Sequence, residues 1–579
     1  MFKIYNKKFF KYFIYDKRTF FKYFSLSFIV GVLELTGVAL TFPFIIGLLN
    51  KESIDSTSIL YGCLIILAFL AKNIFMIFYT GLQADFTKNY EANIKKQFMH
   101  YFLFANYNTV SKIAFHKKNQ ILGFLSSSAI NNYLIRILNI NVNVFIFSLL
   151  LTFLFIKFFF ATTIALISTL VLLYTESIYF KNKTTKIAKE MNKANEELNL
   201  ANSEPLLNIK TIKIHNGEKH FFNRFCKKLD DLNGIAKDIF FFNSIPPYVT
   251  EPFIIVILMI LLAIISFENK SNTDTLVASY AVIVSVIFRL APTINRIQVN
   301  LTGINTALPQ VNELIDYYEE FDLNNFKPQE TPSTRIEESI TLKNICFSYE
   351  EKNILDNVNI EIKKGDFIGI AGSSGAGKTT LIDIIAGLLE IKSGEIYIDN
   401  KLVSSSNMPH LKIGYIPQEY SLISGSIREN IAFGAKEIND EKVIKVLKQA
   451  QLYDYIISNY ADGIYAKPFV DSIGFSQGQK QRLAIARALY TDPDILILDE
   501  ATASLDLNTE LEICDTLNQL KGNKTIIAIA HRISTIKNAD KIFLMQNSTV
   551  VASGSFQELL ENNTDFQKLV ELNNANLIH

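Results

Sequence analysis

The sequence predicts two domains of different class in one chain: an all-α membrane domain of six helices, then an α/β domain built around a phosphate-binding loop. Three observations carry this. Long apolar runs crowd into the first half of the 579 residues, short apolar strands alternate with helices from Ile340 onward, and a glycine-rich loop stands between one such strand and a helix. At this length two or three domains are the natural expectation.

Composition supports the first element. Hydrophobic residues make up 49% and charged ones only 20%, with 46 Phe and no Trp, which suits a chain that lies partly in lipid. A net charge of +1 offers no basic excess and so weighs against a nucleic-acid partner. Cys63, Cys226, Cys346 and Cys514 are scattered without CxxC or Cys/His spacing, so neither a disulfide framework nor a zinc site is indicated. The basic, aromatic amino terminus has no signal-peptide cleavage pattern before the first long apolar run, which is therefore expected to remain as a span.

Six spans are read at residues 20–49, 59–82, 134–156, 158–180, 239–267 and 276–301. Each reaches the roughly 20 residues a helix needs to cross hydrocarbon. The third and fourth are nearly contiguous, joined at Lys157. Lys3, Lys7, Lys8, Lys11, Lys17, Arg18 and Lys22 stand near the start, against Asp16 as the only acid, which places the amino terminus in the cytoplasm. Six spans return the chain to the same side, where ATP is found.

Polar, helix-friendly stretches such as 83–106 and 181–202 follow spans two and four. They predict membrane helices that continue far into the cytoplasm and turn near 106–112 and 216–225, offering those turns to a partner domain; structureless loops of such length are uncommon. Beyond span six, Glu313, Asp316, Glu319 and Glu320 lead into a segment with Pro328 and Pro332. The expected boundaries are therefore a membrane domain at 1–320, a linker at 321–339 and the α/β domain at 340–579.

The loop reads Gly372-Ser373-Ser374-Gly375-Ala376-Gly377-Lys378-Thr379-Thr380. Its glycines let backbone N–H groups curl around phosphate oxygens, and the following helix start adds positive potential. Lys378 is placed to reach the β- and γ-phosphates, and the Thr379 hydroxyl can ligate Mg²⁺. A second element, Ile495-Leu-Ile-Leu-Asp499-Glu500, is a buried strand ending in two acids. Asp499 can hold Mg²⁺, and Glu500 can polarise an attacking water. The bland alternative is that the acids cap the next helix.

Phe475-Ser476-Gln477-Gly478-Gln479 resembles the LSGGQ signature of ABC transporter ATPases, and Lys480–Ala488 continues it as a helix. The resemblance, which covers nearly the whole chain, implies an exporter-type half-transporter with ATP and Mg²⁺ as cofactors. It implies that Ser476, Gln477, Gly478 and Gln479 meet ATP held by an opposite subunit, Ser476 and Gly478 at its γ-phosphate. It further implies that Tyr349 stacks on adenine, Gln418 senses Mg²⁺, Asp506 lies in the loop across the dimer seam, and His531 contacts the γ-phosphate. Because the signature acts in trans, a dimer is implied, with a second copy or with another half-transporter. Phe475 replaces the usual Leu and Gln477 the first Gly, departures expected to slow hydrolysis at most.

Glu34, Lys72, Glu251 and Arg289 fall inside apolar runs, where charge is costly and either paired or functional. Glu34 and Lys72 lie at similar depth and are expected to pair. Arg289 and Arg296, seven residues apart, share a helix face and suit a phosphate or pyrophosphate headgroup; alternatively Arg296 marks the cytoplasmic interface. The segments Glu34 to Pro43 and Arg289 to Arg296 resemble bacterial flippases of lipid-linked oligosaccharides. That likeness implies an amphiphilic, pyrophosphate-bearing lipid substrate moved across a bacterial inner membrane. The alternatives are an exporter of peptides, toxins or drugs, or a regulatory protein that binds ATP without transport. A peptidase domain ahead of span one would favour the former and loss of Glu500 the latter; neither is expected from these residues.

Overall fold

The computed structural model describes residues 6–14, 16–49, 56–268, 273–328, 333–350, 352–405, 408–418, 420–467, 475–500, 507–529 and 532–575. The chain divides into two units, Met1–Ala105 with Val110–Pro328, and Gln329–His579 with Asn106–Thr109.

The first unit is helical throughout most of its described residues. Helix α1 (Lys17–Ala39) breaks at Leu40 and resumes as Thr41–Leu49. Pro43 explains the break, because its ring clashes with the carbonyl four residues back, at Ala39, where α1 stops. Helices α2 (Ser56–Phe104), α3 (Ile135–Lys157), α4 (Phe159–Leu207), α5 (Glu218–Glu268) and α6 (Thr273–Glu320) follow. At 49 residues α2 is about 73 Å long, more than twice the hydrocarbon thickness. The same holds for α4, α5 and α6, so the polar stretches are helical extensions of the spans rather than loops.

Five described helical runs are long and apolar enough to cross a membrane: Lys17–Leu48, Ser56–Phe104, Phe115–Ile156, Glu218–Ile264 and Ser279–Glu320. The expected fourth span, 158–180, lies inside α4, whose described apolar part is Thr162–Val171; several of its side chains lie outside the described residues. The junction between spans three and four falls where the apolar run was expected to divide. Phe158, at φ −140° and ψ 69°, ends α3 and begins α4.

Two features differ from the sequence reading. Span three is entered through a helical stretch from Phe115 that contains two π-type turns, Ile121–Leu125 and Ala129–Leu134. Ser126 Oγ donates to the Ile121 carbonyl five residues back, at 2.5 Å. A short helix, Lys7–Phe13, capped by Asn6, also precedes α1. Its Phe9 packs edge-on to Tyr133 and its Phe13 to Tyr318, so the aromatic amino terminus is part of the core. On α2, Tyr90, Ile94, Phe98 and Tyr101 are buried at helical spacing, whereas Ile66, Ile74 and Ile77 are exposed on the stretch that faces lipid.

The second unit holds two main sheets. Strands β1 (Ser339–Tyr349), β2 (Lys352–Lys363), β3 (Phe367–Gly372), β4 (Ser393–Ile398), β5 (Lys401–Val403), β6 (Ile413–Ile416), β7 (Ile495–Asp499), β8 (Thr525–Ile529), β9 (Lys541–Gln546) and β10 (Thr549–Gly554) build them. The antiparallel sheet runs β2-β1-β4-β5 and the six-stranded sheet β10-β9-β3-β8-β7-β6. The latter is parallel except for β10. Alternate residues of β8 enter two different apolar clusters, Ile526 and Ala528 one, Ile527 and Ile529 the other. The sheet is therefore buried on both faces, and its strands read as unbroken apolar runs. Asn106–Thr109 belong to this unit, where Asn106 Nδ2 donates to Glu390 Oε1 at 3.2 Å.

Candidate functional site

Strand β3 ends at Gly372, and the chain curls back into helix α7 (Lys378–Ile385). Gly377 sits at the helix start with φ +96°, and a Cβ there would lie 2.7 Å from the Ile354 carbonyl oxygen. Only glycine fits that position. Gly375, with φ +81°, has nothing within 4 Å of where its Cβ would be, so the loop opens there. Ser373, Ser374 and Thr379 are exposed, while Ala376 and Thr380 are buried beneath them.

Lys378 is buried, and its ammonium donates to the carbonyls of Gly372 at 3.0 Å and Ser373 at 2.9 Å. Burial lowers its pKa, opposed by the carboxylates of Glu500 and Asp499. The loop thus wraps its own cation, with N–H groups at a helix start completing an anion cradle.

Strand β8 lies between β3 and β7, its Ile529 level with both Ile370 and Asp499. Asp499 closes an entirely buried strand and accepts from Tyr415 Oη at 2.9 Å. Glu500 follows in a left-handed conformation, φ +50°, uncommon for a residue with a side chain and a mark of imposed geometry. Asp383, one helical turn beyond Thr379, has its pKa pushed up to about 6, first by burial and then by Asp499. Among the described residues no group of three or more His, Cys, Asp or Glu could hold a metal ion. A divalent cation here would lean on Asp499, the Thr379 hydroxyl and phosphate oxygens. Those hard oxygen donors suit Mg²⁺, with Gln418, exposed just beyond β6, as a further carbonyl.

Tyr349 ends β1, partly exposed, with its ring edge-on to Phe347 and its hydroxyl hydrogen-bonded with Thr380. Ser476 caps helix α8 (Gln477–Tyr490). Its Oγ accepts from Gln479 N–H at 3.3 Å, while its own N–H donates to Gln479 Oε1 at 2.8 Å. The Ser and Gln of the signature are therefore a capping box. Gln477 occupies the first helical position, where glycine is not needed. Phe475 is buried, 5.8 Å from the Tyr460 ring and 6.3 Å from Tyr455, so an aromatic pocket accommodates the larger residue.

His531 and Asp506, and 470–474 ahead of the signature, lie outside the described residues. The chain resumes at Arg532, which pairs with buried Glu510; the Ser534 hydroxyl donates to the same carboxylate. Tyr415, Asp383 and Glu510 escaped the sequence reading. Each carries a polar group within an apolar strand or helix face, a signal that gains meaning only when its partner is known.

In the first unit a cavity of about 670 Å³ is bounded by α1, α2, α3 and α6. Arg289 and Arg296 both line it, together with Glu34 and Lys72. Lys72 Nζ lies 2.8 Å from Glu34 Oε2, the expected pair, and Arg289 adds itself at 3.4 Å from Oε1. Glu251 is exposed and does not line this cavity.

The description "ABC transporter" matches residues 355–503 and "ABC transporter transmembrane region" matches 20–290. An ATP-dependent lipid A-core flippase of Saccharophagus degradans is 31% identical over 401 residues, 67% of this chain and 65% of that protein. A putative multidrug export ATP-binding/permease protein, YgaD, of Bacillus subtilis is 30% identical over 309 residues, 53% of each chain. The matched stretch thus spans less than two thirds of these curated relatives. A solved bacterial Atm1-family ABC exporter with ATP bound has the same fold, with a TM-score of 0.82 at 18% identity, over 96% of this chain and 99% of that one.

Proposed function

The chain belongs to the ABC transporter family, an exporter-type transmembrane region joined to an ABC ATPase domain, and from that premise we propose that it hydrolyses ATP to move an amphiphilic, anionic lipid across a bacterial inner membrane. The substrate favoured is a lipid-linked oligosaccharide or another glycolipid.

The carrying observation is the placement of Lys378. Its ammonium is held at the mouth of a glycine loop, and Asp499, followed by Glu500, ends a strand separated from β3 only by β8. In this reading the loop from Gly372 to Thr380 cradles the triphosphate, Lys378 neutralises its terminal oxygens, and Tyr349 stacks on the base. Thr379, Asp499 and Gln418 would hold Mg²⁺, which supplies charge neutralisation on the phosphates. Glu500 orients and deprotonates the water, and His531 contacts the γ-phosphate. Positioning and charge stabilisation account for most of the catalysis in such transfers.

The helix start at Ser476 and Gly478, flanked by Gln477 and Gln479, offers an anion site to a nucleotide in a second subunit, with Asp506 at the seam. The working unit is therefore a dimer, most simply of two copies. For the cargo, the reading rests on a membrane cavity where Lys72, Arg289 and Arg296 outnumber one acid, Glu34. Guanidinium groups match phosphate oxygens in fork geometry. The lipid A-core flippase supports this reading, and the multidrug protein keeps a second, export of drugs or peptides, in play.

Reconstitution into liposomes tests both. ATP-dependent loss of a labelled polyprenyl-pyrophosphate sugar from one leaflet is expected, abolished by Glu500→Gln. Movement of a peptide or drug panel instead would select the second reading.

A further inference from the structure

Resting on the reading above, we propose that Glu34 is an internal stand-in for the substrate's anion, occupying the cationic slot until a headgroup of higher charge displaces it, and that Tyr79 is a second anchor for that headgroup.

Three helices converge on one buried carboxylate: Glu34 from α1, Lys72 from α2 and Arg289 from α6. The two arms are unequal. Lys72 Nζ stands 2.8 Å from Oε2 as an ion pair without hydrogen-bond geometry, whereas Arg289 stands off at 3.4 Å from Oε1. The Arg289 guanidinium also lies 4.4 Å over the Phe69 ring, so it keeps its place when the carboxylate lets go. Arg296, two turns further along the same face, has no ion pair among the described residues. One acid cannot neutralise three cations, and the cavity keeps a positive surplus that a singly charged lipid satisfies poorly.

Tyr79 supplies the independent observation. It lines the same cavity and is 2% exposed, and its hydroxyl has no hydrogen-bond partner among the described residues. A buried hydroxyl left unpaired costs stability, because it gives up its water partners for none. Phenylalanine would avoid that cost, so the hydroxyl is suited to a ligand that accepts from it. Gln83 and Asn139, paired at 3.2 Å on the cavity wall, add amide groups complementary to sugar hydroxyls. The occupant so described carries more than one negative charge and is rich in hydroxyls.

The experiment uses the full chain in phosphatidylcholine nanodiscs doped with a polyprenyl pyrophosphate or with phosphatidylglycerol. It reads the lipid concentration that half-saturates ATPase stimulation, together with the melting temperature. Wild type is expected to respond to the pyrophosphate lipid at the lower concentration. Glu34→Gln lowers the phosphatidylglycerol value by about tenfold and narrows the gap between the lipids. Glu34→Asp, which keeps the charge but withdraws it from Arg289, shifts the same way by less and decides the question if the Gln variant fails to fold. Tyr79→Phe raises the value for the pyrophosphate lipid severalfold while the melting temperature holds or rises. If both Glu34 variants lower the melting temperature with the gap unchanged, the carboxylate is a structural ion pair and the inference is overturned while the transport reading stands. If wild type responds to neither lipid, the anionic-substrate reading falls and takes the inference with it.

Discussion

In the proposed reading the nucleotide site and the membrane cavity solve related problems, the binding of anionic groups, with different materials. In the ATPase domain the proposed ligands are chiefly backbone groups and one lysine, all within a nine-residue loop held by a buried strand and a helix. In the membrane domain the proposed ligands are side chains from helices more than 200 residues apart, such as Lys72 and Arg289. A backbone site demands glycine at fixed spacing, so its chemistry is written locally and tolerates little change. A side-chain site assembles from any residues that project to the same depth, so its specificity can drift while the fold persists. That contrast fits relatives of similar overall identity whose names carry different cargo.

The contrast is broken most directly at Gly377. Gly377→Ala forces a methyl into the Ile354 carbonyl at a left-handed φ and is expected to weaken ATP binding by roughly a hundredfold. Binding of a fluorescent ATP analogue within threefold of wild type would show that the loop is not so constrained. Arg289→Ala tests the other region. It is expected to reduce lipid stimulation of the ATPase by about tenfold while unstimulated hydrolysis holds, since only one of three cations is lost. Equal losses in both rates would show that the two regions do not act as separate sites.

The smallest effect sharpens the nucleotide site itself. The Asp383 carboxyl titrates at about 6 in the folded chain, above the ordinary value near 4, so folding favours its protonated form. Stability falls as pH rises through that window, and the cost is complete above it. Asp383→Asn removes the charge and is expected to gain about 1–2 kcal/mol at pH 7.5, after allowance for solvent screening, and about a third of that at pH 4.5. Calorimetric melting of the full chain at the two pH values checks this, and an equal gain at both would place the strain elsewhere.

Legibility in the sequence follows the same division. The phosphate loop, the acid-ended strand and the length of α2 and α4 were legible because each is a local pattern of period, glycine spacing or composition. The Glu34–Lys72 pair was legible from depth alone, since adjacent antiparallel spans bring equal depths together. Arg289 as its third member was not, because nothing in the order of residues says which face of α6 meets α1. The π-type turns after Phe115 and the helix at Lys7–Phe13 were missed for another reason. Both are set by tertiary packing, Phe9 on Tyr133 among it, that overrides a weak local signal. Tyr415 reaches Asp499 through strand register, which only the sheet order reveals.

In the proposed dimer Ser476 has two obligations that fall on a single oxygen. Its lone pair terminates a helix of the ATPase core, while its proton stays available to a visitor. A substitution there therefore cannot be scored from turnover alone, because part of any deficit will be a shortage of correctly folded molecules. Gly478, with no part in that capping, has no such double duty, and the pair offers a way to separate architecture from encounter within three residues of chain.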